Sequence, residues 1–419
     1  MKQKTPGQVL FASMIGTTIE FFDFYIYATA AVLAFPTLFF PASDPSSATL
    51  ASLATFGIAF LARPIGSALF GHFGDRIGRK TTLVAALLTM GFSTVAIGLL
   101  PTYEQIGIAA PALLAVCRFG QGLGLGGEWG GAVLLAVENA PPGKRAWYGM
   151  FPQLGAPVGF FFSGGVFLLL SEFLTDEQFF SFGWRLPFLA SAALVVVGLY
   201  DRLTITETPV YEQAMAREAR SRVPIAEVFR DHSWMVFTGV LSSLVTFVLF
   251  YLMTVYALSW GTTSGGFSRT TFLMIQLIGV VFFAIAIPIS ARIAENGRRA
   301  MLIWVTVAIG AFGFAFAPML QAGLLGATLA MIVGLSLMGL TYGPLGTVLS
   351  ELFPTRIRYT GSSMTFNLTG IFGASLAPYI ATWLAREYGL EYVGYYLVGA
   401  AALTLAGLLS IPETRDASL

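Results

Sequence analysis

The sequence predicts an all-α membrane protein of twelve transmembrane helices arranged as two parallel six-helix repeats. Three observations carry that expectation. Of the 419 residues, 56% are apolar and only 11% charged, with a mean hydropathy of +0.76, whereas a soluble domain carries about 25% charged residues. Apolar segments of bilayer-crossing length follow one another along the chain, and 419 residues leave room for about a dozen spans of roughly 20 residues with short loops. Punctuating residues at the helix ends also recur half a chain apart. No length remains for a soluble catalytic domain.

Hydropathy places the spans near 9–40, 49–71, 81–100, 106–138, 147–170 and 184–203, then 234–260, 268–293, 301–319, 323–351, 359–386 and 392–411. The first follows Lys2 and Lys4 as a secretion signal would, but it is too long for one and holds Glu20 and Asp23, so it is expected to be retained. Between the second and third lies Gly71-His72-Phe73-Gly74-Asp75-Arg76-Ile77-Gly78-Arg79-Lys80. Four charges in a glycine-rich stretch cannot sit in hydrocarbon, so a tight loop is predicted there. The fourth span closes on Glu138-Asn139-Ala140-Pro141, the sixth on Glu207-Thr208-Pro209, the eighth on Glu295-Asn296-Gly297-Arg298-Arg299 and the twelfth on Pro412-Glu413-Thr414-Arg415. Residues 204–233 form the one long polar linker, alternating in charge from Glu207 to Asp231 and punctuated by Pro209 and Pro224. It reads as a solvated surface helix without a ligand role, dividing the chain into bundles 1–203 and 234–419.

The repeat is legible in three pairs. Glu138, Pro141 and Arg145 keep the mutual spacing of Glu351, Pro354 and Arg358, with Gly149 and Gly361 following. The Asp75-to-Lys80 segment is echoed by Glu295 to Arg299, and Glu207-Thr208-Pro209 by Pro412-Glu413-Thr414-Arg415. All three are offset by roughly half the chain, as expected of two repeats with a site between them at mid-membrane depth.

Basic residues set the orientation. Only Arg185, Arg269 and Arg386 fall on one side and Arg63 and Arg118 within spans, while the other lysines and arginines gather on the side of the amino terminus. The positive-inside rule then predicts both termini in the cytoplasm. A net charge of +1 gives nucleic-acid binding no electrostatic support. No cofactor or metal is expected: His72 and His232 lie in loops and Cys117 is the single cysteine, which also excludes a disulfide scaffold.

The decapeptide resembles the signature loop of the major facilitator superfamily, Gly-x-x-x-Asp-Arg-x-Gly-Arg-Lys, met in full at Gly71, Asp75, Arg76, Gly78, Arg79 and Lys80. Thr17 to Tyr25, Arg63-Pro64-Ile65-Gly66, and Arg118-Phe119-Gly120-Gln121-Gly122 running to Gly127-Glu128-Trp129-Gly130-Gly131 look like the metabolite:proton symporter family within it. That resemblance covers essentially the whole chain. It implies a bacterial inner-membrane carrier for small organic acids or compatible solutes such as shikimate, 2-oxoglutarate, citrate, proline or betaine. It also implies that Asp75 faces the amino-terminal end of span 11, where a helix dipole favours negative charge, and that Arg76 and Arg79 tie the halves together. The other reading of that loop is a topology signal alone.

Ionisable residues inside spans are costly and by default functional. Five stand away from the helix ends: Glu20, Asp23, Arg63, Arg118 and Glu128. Glu20 and Asp23 are three apart and share a helical face that Tyr27 extends. Arg118 and Glu128, ten apart on one continuous helix, would be displaced by about 15 Å, so each needs a partner elsewhere. Three carboxylates face two guanidiniums, and an unpaired carboxylate in a desolvated cavity can exchange protons. Asp23 and Glu128 are the first candidates for the proton, and Arg118 for sensing it or binding an anion; a static ion-pair network is the structural alternative. Gly122-x-Gly124-x-x-Gly127 matches a dinucleotide-binding pattern literally, but mid-span it reads as close helix packing.

The second half offers polar and aromatic residues instead, among them Tyr251, Thr254, Tyr256 and Trp260 in span 7, Gln276 in span 8, Thr341 and Tyr342 in span 10, and Asn367 and Thr369 in span 11. Substrate contacts are expected from Arg118, Gln121, Tyr27, Tyr251, Tyr256, Tyr342 and Asn367. Gating is expected from the decapeptide together with Glu138, Arg145, Glu295, Arg298, Arg299, Glu351 and Arg358. The expected function is a monomeric, proton-coupled, alternating-access importer of a small organic acid or zwitterion, its partners being substrate, protons and the bilayer. A proton-driven exporter and a transporter-like receptor are the alternatives; an enzyme is not expected.

Overall fold

The computed structural model describes residues 6–41, 45–77, 79–126, 128–204, 224–354 and 357–415, without the side chains at 6, 8, 9, 12, 46, 71–77, 79–83, 135, 200–204 and 224. Among the described residues there is no strand, and helix accounts for nearly all of the chain. A bilayer offers the backbone no hydrogen bonds, so each span must satisfy its own.

The first six crossings are Pro6–Leu33, Pro45–Ile77, Arg79–Leu99, a fourth in two pieces at Ala109–Leu125 and Glu128–Glu138, Arg145–Phe173 and Leu186–Thr204. Of the last six, span 7 runs from Ser233–Tyr251 through Leu252–Tyr256 to Ala257–Thr263, followed by Arg269–Ala294, Arg298–Gln321 and Gly323–Glu351. Span 11 runs from Arg358–Thr369 through Gly370–Ser375 to Ala377–Glu387, and span 12 is Leu390–Ser410. Spans 2, 5 and 7 to 12 are long and apolar enough to cross a membrane on length and composition alone, while Val84–Leu99 and Gly183–Leu199 are shorter apolar helices. The face where span 1 begins is here the inner face, and its opposite the outer face.

Three local results differ from the sequence reading. Span 2 stays helical to Ile77 and span 3 resumes at Arg79, so most of the decapeptide is helical backbone where a loop was expected. Polar residues beyond the lipid boundary lose nothing by staying helical, since the backbone remains internally bonded. Gly78 and the side chains of Asp75, Arg76, Arg79 and Lys80 lie outside the described residues, as does 205–223 of the linker; of the rest, Pro224–Asp231 is a short helix.

Span 4 is not one continuous helix but breaks after Leu125, with Gly126 in a turn. The cause is backbone-on-backbone packing against span 2. A Cβ at Gly122 would overlap the Ala59 carbonyl, one at Gly126 the Arg63 carbonyl, and one at Gly66 the Leu123 carbonyl. Glycine permits that approach and weakens the helix at the same place. The Ser67 hydroxyl donates to the Gly126 carbonyl beside the break.

Spans 7 and 11 each contain a π-helical turn, at Leu252–Tyr256 and Gly370–Ser375. In span 7 the Gln276 amide, from span 8, donates to the carbonyls of Met253 at 3.0 Å and Thr254 at 2.7 Å. Gln276 therefore supplies the donor that the widened turn displaces.

Candidate functional site

The two sets of six spans meet chiefly where span 5 packs on spans 8 and 10 and span 2 on span 11. At mid-depth they enclose a cavity of about 20 Å³. Its first-half wall is Phe21, Tyr25 and Arg63, and its second-half wall is Phe247, Phe250, Tyr251, Met338, Tyr342 and Phe366. A space of that size holds about one water. Any metabolite must therefore widen the site to enter.

Arg63 is the one charged side chain on this wall, 6% exposed, with Cζ 4.7 Å from the Phe24 ring and 5.1 Å from the Phe60 ring. Its Nε makes no hydrogen bond among the described residues. Glu20, 7% exposed, acts electrostatically on both Arg63 and Tyr342.

Arg118 stands apart from the cavity. Its guanidinium is fully buried against the rings of Tyr27 at 4.0 Å, Phe24 at 4.3 Å and Phe56 at 5.0 Å. Nη1 donates to Gln121 at 2.9 Å, and the Gln121 amide donates to Thr94 on span 3 at 2.8 Å. Tyr27 donates to Thr55 on span 2 at 2.9 Å. Arg118, Gln121 and Tyr27 therefore form one buried cluster within the first half, separated from Arg63 by the Phe24 ring that both guanidiniums face. Nη2 of Arg118 has no hydrogen-bond partner among the described residues.

Asp23 is fully buried and turns to span 6, where Ser191 donates to Oδ1 at 2.7 Å while Oδ2 has no hydrogen-bond partner among the described residues. Glu20, Asp23 and Tyr27 share a helix face, yet they address Arg63, Ser191 and Thr55 respectively. Glu128 is 5% exposed at the start of the inner piece of span 4, where the helix dipole favours an acid.

Directly inward of the cavity, Trp129 stacks on Phe366 across the midline with centroids 3.6 Å apart and planes 13° apart. Trp129 Nε1 donates to Gln153 at 3.0 Å, and Gln153 donates to the Tyr342 carbonyl at 3.0 Å, linking spans 4, 5 and 10. Asn367 donates to Ser67 at 2.9 Å and to the Gly126 carbonyl at 3.3 Å, so it bridges span 11 to the break in span 4. Neither Trp129 nor Gln153 was singled out for a role from sequence, although Trp129 sits in a motif that carries the family resemblance.

At the inner face Glu351, its side chain fully buried, takes Arg298 Nε at 2.9 Å from its own half and Arg145 Nη1 at 3.6 Å from the other. Glu295 accepts from the Trp147 amide at 2.8 Å, capping the start of span 5. Glu295 is the repeat echo of Asp75, and it meets span 5 as the resemblance implies that Asp75 meets span 11. Arg358 donates to the Ser350 and Phe353 carbonyls of its own half and acts electrostatically on Glu138. Arg299 points away from the first half: it donates to the Leu408 and Leu409 carbonyls at 2.7 and 2.9 Å and bridges to no first-half side chain among the described residues. Its long side chain follows the end of span 12, because Glu413 holds its amide there at 3.0 Å.

The outer face is fastened by a pair that sequence reading gave no role. Arg269, at the start of span 8, meets Asp176 of the short helix Asp176–Ser181 before span 6 at 2.7 Å and lies over the Phe179 ring at 4.1 Å. The signal was present, since Arg269 is one of the few basic residues on that side. Tyr256 departs from the substrate set as well: it is buried against Phe316 of span 9, 6.4 Å between centroids, behind the cavity. Of the expected substrate contacts, Tyr251 and Tyr342 reach the cavity wall, and Arg63 joins them.

This geometry, twelve crossings around a small mid-depth cavity with an ion pair between the halves near each face, accompanies a family match. The sequence pattern of the Major Facilitator Superfamily matches residues 13–371. The chain belongs to that superfamily. It is 56% identical to the inner membrane metabolite transport protein YhjE of Escherichia coli K12, over 99% of this chain and 96% of that one. It is 35% identical to the shikimate transporter of the same strain, covering 97% and 94%, and 31% identical to the proline/betaine transporter of Salmonella typhimurium LT2, covering 97% and 84%. Among solved structures it shares its fold with a D-xylose–proton symporter, at a TM-score of 0.78 and 19% identity over 98% of both chains. The protein is a multi-pass membrane transporter of metabolites, not an enzyme.

Proposed function

We propose that the protein is a proton-coupled symporter that imports a small carboxylate-bearing metabolite by alternating access. The observation that carries this reading is Arg63, a buried cation on the wall of an enclosed mid-depth cavity between two sets of spans fastened at both faces. Arg63 pairs with the substrate carboxylate, and the surrounding rings shed water from the rest of the molecule. Bundles 1–203 and 234–419 rock about the cavity, joined by the linker 204–233. The Arg145–Glu351 and Arg269–Asp176 pairs, at opposite faces, open in alternation.

The proton is carried on the first half. Asp23 is buried beside Phe24, the ring that both guanidiniums face, and among the described residues it bonds through one oxygen to Ser191. Its protonation acts through the Ser191 bond to span 6 and the helix face it shares with Glu20 and Tyr27. Glu128, at a helix start beside the span 2 contact, is the second carrier, and Arg118 with Gln121 senses the change. Both termini lie in the cytoplasm and the monomer is the working unit in a bacterial inner membrane. Names of the relatives support small metabolite cargo, and neither Arg63 nor the tyrosines need a metal or cofactor for this work.

Direction is tested with right-side-out and inverted vesicles under an imposed pH gradient. The symporter accumulates a labelled carboxylate in right-side-out vesicles when the outside is acidic. Proton-driven extrusion, seen as accumulation in inverted vesicles in exchange for protons, would overturn import in favour of export.

A further inference from the structure

We infer that the inner-face ends of spans 8 and 9 hold an anionic phospholipid, with one acyl chain in the groove between them and the phosphate at the groove's mouth on Arg292 and Arg415. The site lies apart from the central cavity and does not depend on the cargo. The groove has a volume of about 420 Å³, some twenty times that of the mid-depth cavity. Ile293, Asn296 and Gly297 line it from the end of span 8 and the loop after it, and Ala300, Met301 and Trp304 line it from span 9. It is open on the side away from the bundle, where Ile293 is exposed and Trp304 is 73% exposed. Seven residues separate Gly297 from Trp304, a helical rise of about 10 Å, so the groove runs from the level where the chain leaves the bilayer into one leaflet of a hydrocarbon core about 30 Å thick. An acyl chain of the leaflet at the inner face enters it lengthwise. Ile285, Ile289 and Ile293, exposed one turn apart on span 8, continue the apolar wall towards mid-depth.

Charge at the mouth selects the headgroup. Arg292 stands one helical turn before Asn296, is exposed, and pairs with no acidic side chain among the described residues. From the other side Arg415 donates to the Asn296 carbonyl at 3.4 Å, which brings a second guanidinium to the same rim. The two acids that border the mouth are engaged inward. Glu295 accepts from the Trp147 amide at 2.8 Å and lies 3.7 Å from Arg298, while Glu413 accepts from the Arg298 and Arg299 amides at 3.0 Å. Guanidiniums grip a phosphate through paired N–H donors, and a headgroup with net negative charge adds no ammonium for them to repel. A second copy of this chain would bring more basic residues to the rim, because lysines and arginines gather on that side of the molecule. The lipid also rests on the loop from which Glu295 reaches span 5 and Arg298 reaches Glu351, so it braces the inner-face contacts from outside the bundle.

Fluorescence quenching of Trp304 tests this. The full-length protein is placed in phosphatidylcholine nanodiscs in which a minor fraction of the lipid carries chain-brominated tails, on either phosphatidylglycerol or phosphatidylcholine. The Trp304 component is the difference between the wild type and Trp304→Phe. Brominated phosphatidylglycerol should quench that component at a roughly fivefold lower mole fraction than brominated phosphatidylcholine, as one basic residue's attraction to an anionic lipid would give. The double variant Arg292→Gln with Arg415→Gln should quench equally with both lipids, while its unfolding temperature stays near that of the wild type. Equal quenching by the two lipids in the wild type, or a preference that survives in the double variant, would overturn the anionic site. Protection of Trp304 from both lipids, with two chains in each nanodisc by mass, would overturn it in favour of an interface between copies.

Discussion

Arg145→Gln isolates the bond between halves at the inner face. The substitution removes the guanidinium that meets Glu351 across the midline at 3.6 Å and leaves Glu351 its partner Arg298 at 2.9 Å, so the second half keeps its own buried pair. At that distance the bare Coulomb attraction is about 4–5 kcal/mol for an effective dielectric near 20. The Arg145 side chain is 22% exposed and Glu351 is already partly neutralised by Arg298, so the net contribution to inner-face closure is about 1–2 kcal/mol. That corresponds to a fivefold to thirtyfold rise, roughly, in the ratio of inner-open to inner-closed molecules. Spin labels at Lys144 and Asn296, both exposed on the inner face of opposite halves, report this ratio through their distance distribution in a Cys117→Ala background. Arg299→Gln is the internal control, since its bonds run to Leu408 and Leu409 within the second half and its removal should leave the distribution in place. An unchanged distribution in Arg145→Gln, or an equal shift in Arg299→Gln, would refute the assignment of Arg145–Glu351 as a latch.

Three further outcomes follow from the packing. At the outer face Arg269→Ala should favour the outer-open form more than Asp176→Asn does, because Arg269 also lies on Phe179 while the Asp176 side chain is 84% exposed and its pair contributes about 1 kcal/mol or less; labels at Glu177 and Ser264 measure both, and equal effects would count against the ring contact. Gly126→Ala drives a Cβ into the Arg63 carbonyl and the Ser67 amide and should lower stability by about 1–3 kcal/mol in thermal unfolding, whereas Gly165→Ala, with open space around it, should not. Gln276→Leu strips the Met253 and Thr254 carbonyls of their donor and should cost about 1–3 kcal/mol, read as a lower unfolding temperature; no change would mean that another group satisfies the π turn.

The crossings were legible because a bilayer imposes length and polarity on every span, and the half-chain repeat was legible because Glu, Pro and Arg recur where helices leave the lipid. Arg145 and Glu351 were named from that punctuation, and they meet across the midline. The break in span 4 was not foreseen, although its cause was partly visible: the glycines were read as permitting close approach, but only the position of the Ala59 and Arg63 carbonyls shows how close. Arg63 and Arg118 look equivalent as buried cations in a sequence. Their difference arises from Phe24, which lies between them and leaves one facing the cavity and the other enclosed by Tyr27, Phe56 and Gln121. The phenylalanines of the cavity wall escaped notice for a physical reason, since a ring in an apolar span is equally at home against lipid, against a neighbouring helix or against substrate. The side chain of Asp75 falls outside the described residues, so the contact of Glu295 with span 5 is where that kind of contact can be read.

Separation of transport from proton coupling tests the central claim most directly. Proteoliposomes containing the wild-type protein, Asp23→Asn or Glu128→Gln are compared in two modes with the same labelled carboxylate: accumulation driven by an inward proton gradient, and counterflow exchange with no gradient. The account predicts that the wild type does both, and that the Asp23→Asn protein exchanges substrate at near wild-type rate but neither accumulates it nor takes up protons with it. Glu128→Gln should show the same separation, to an equal or smaller degree. Full proton-coupled accumulation in both variants would contradict the account, because the first half would then not hold the proton that drives transport.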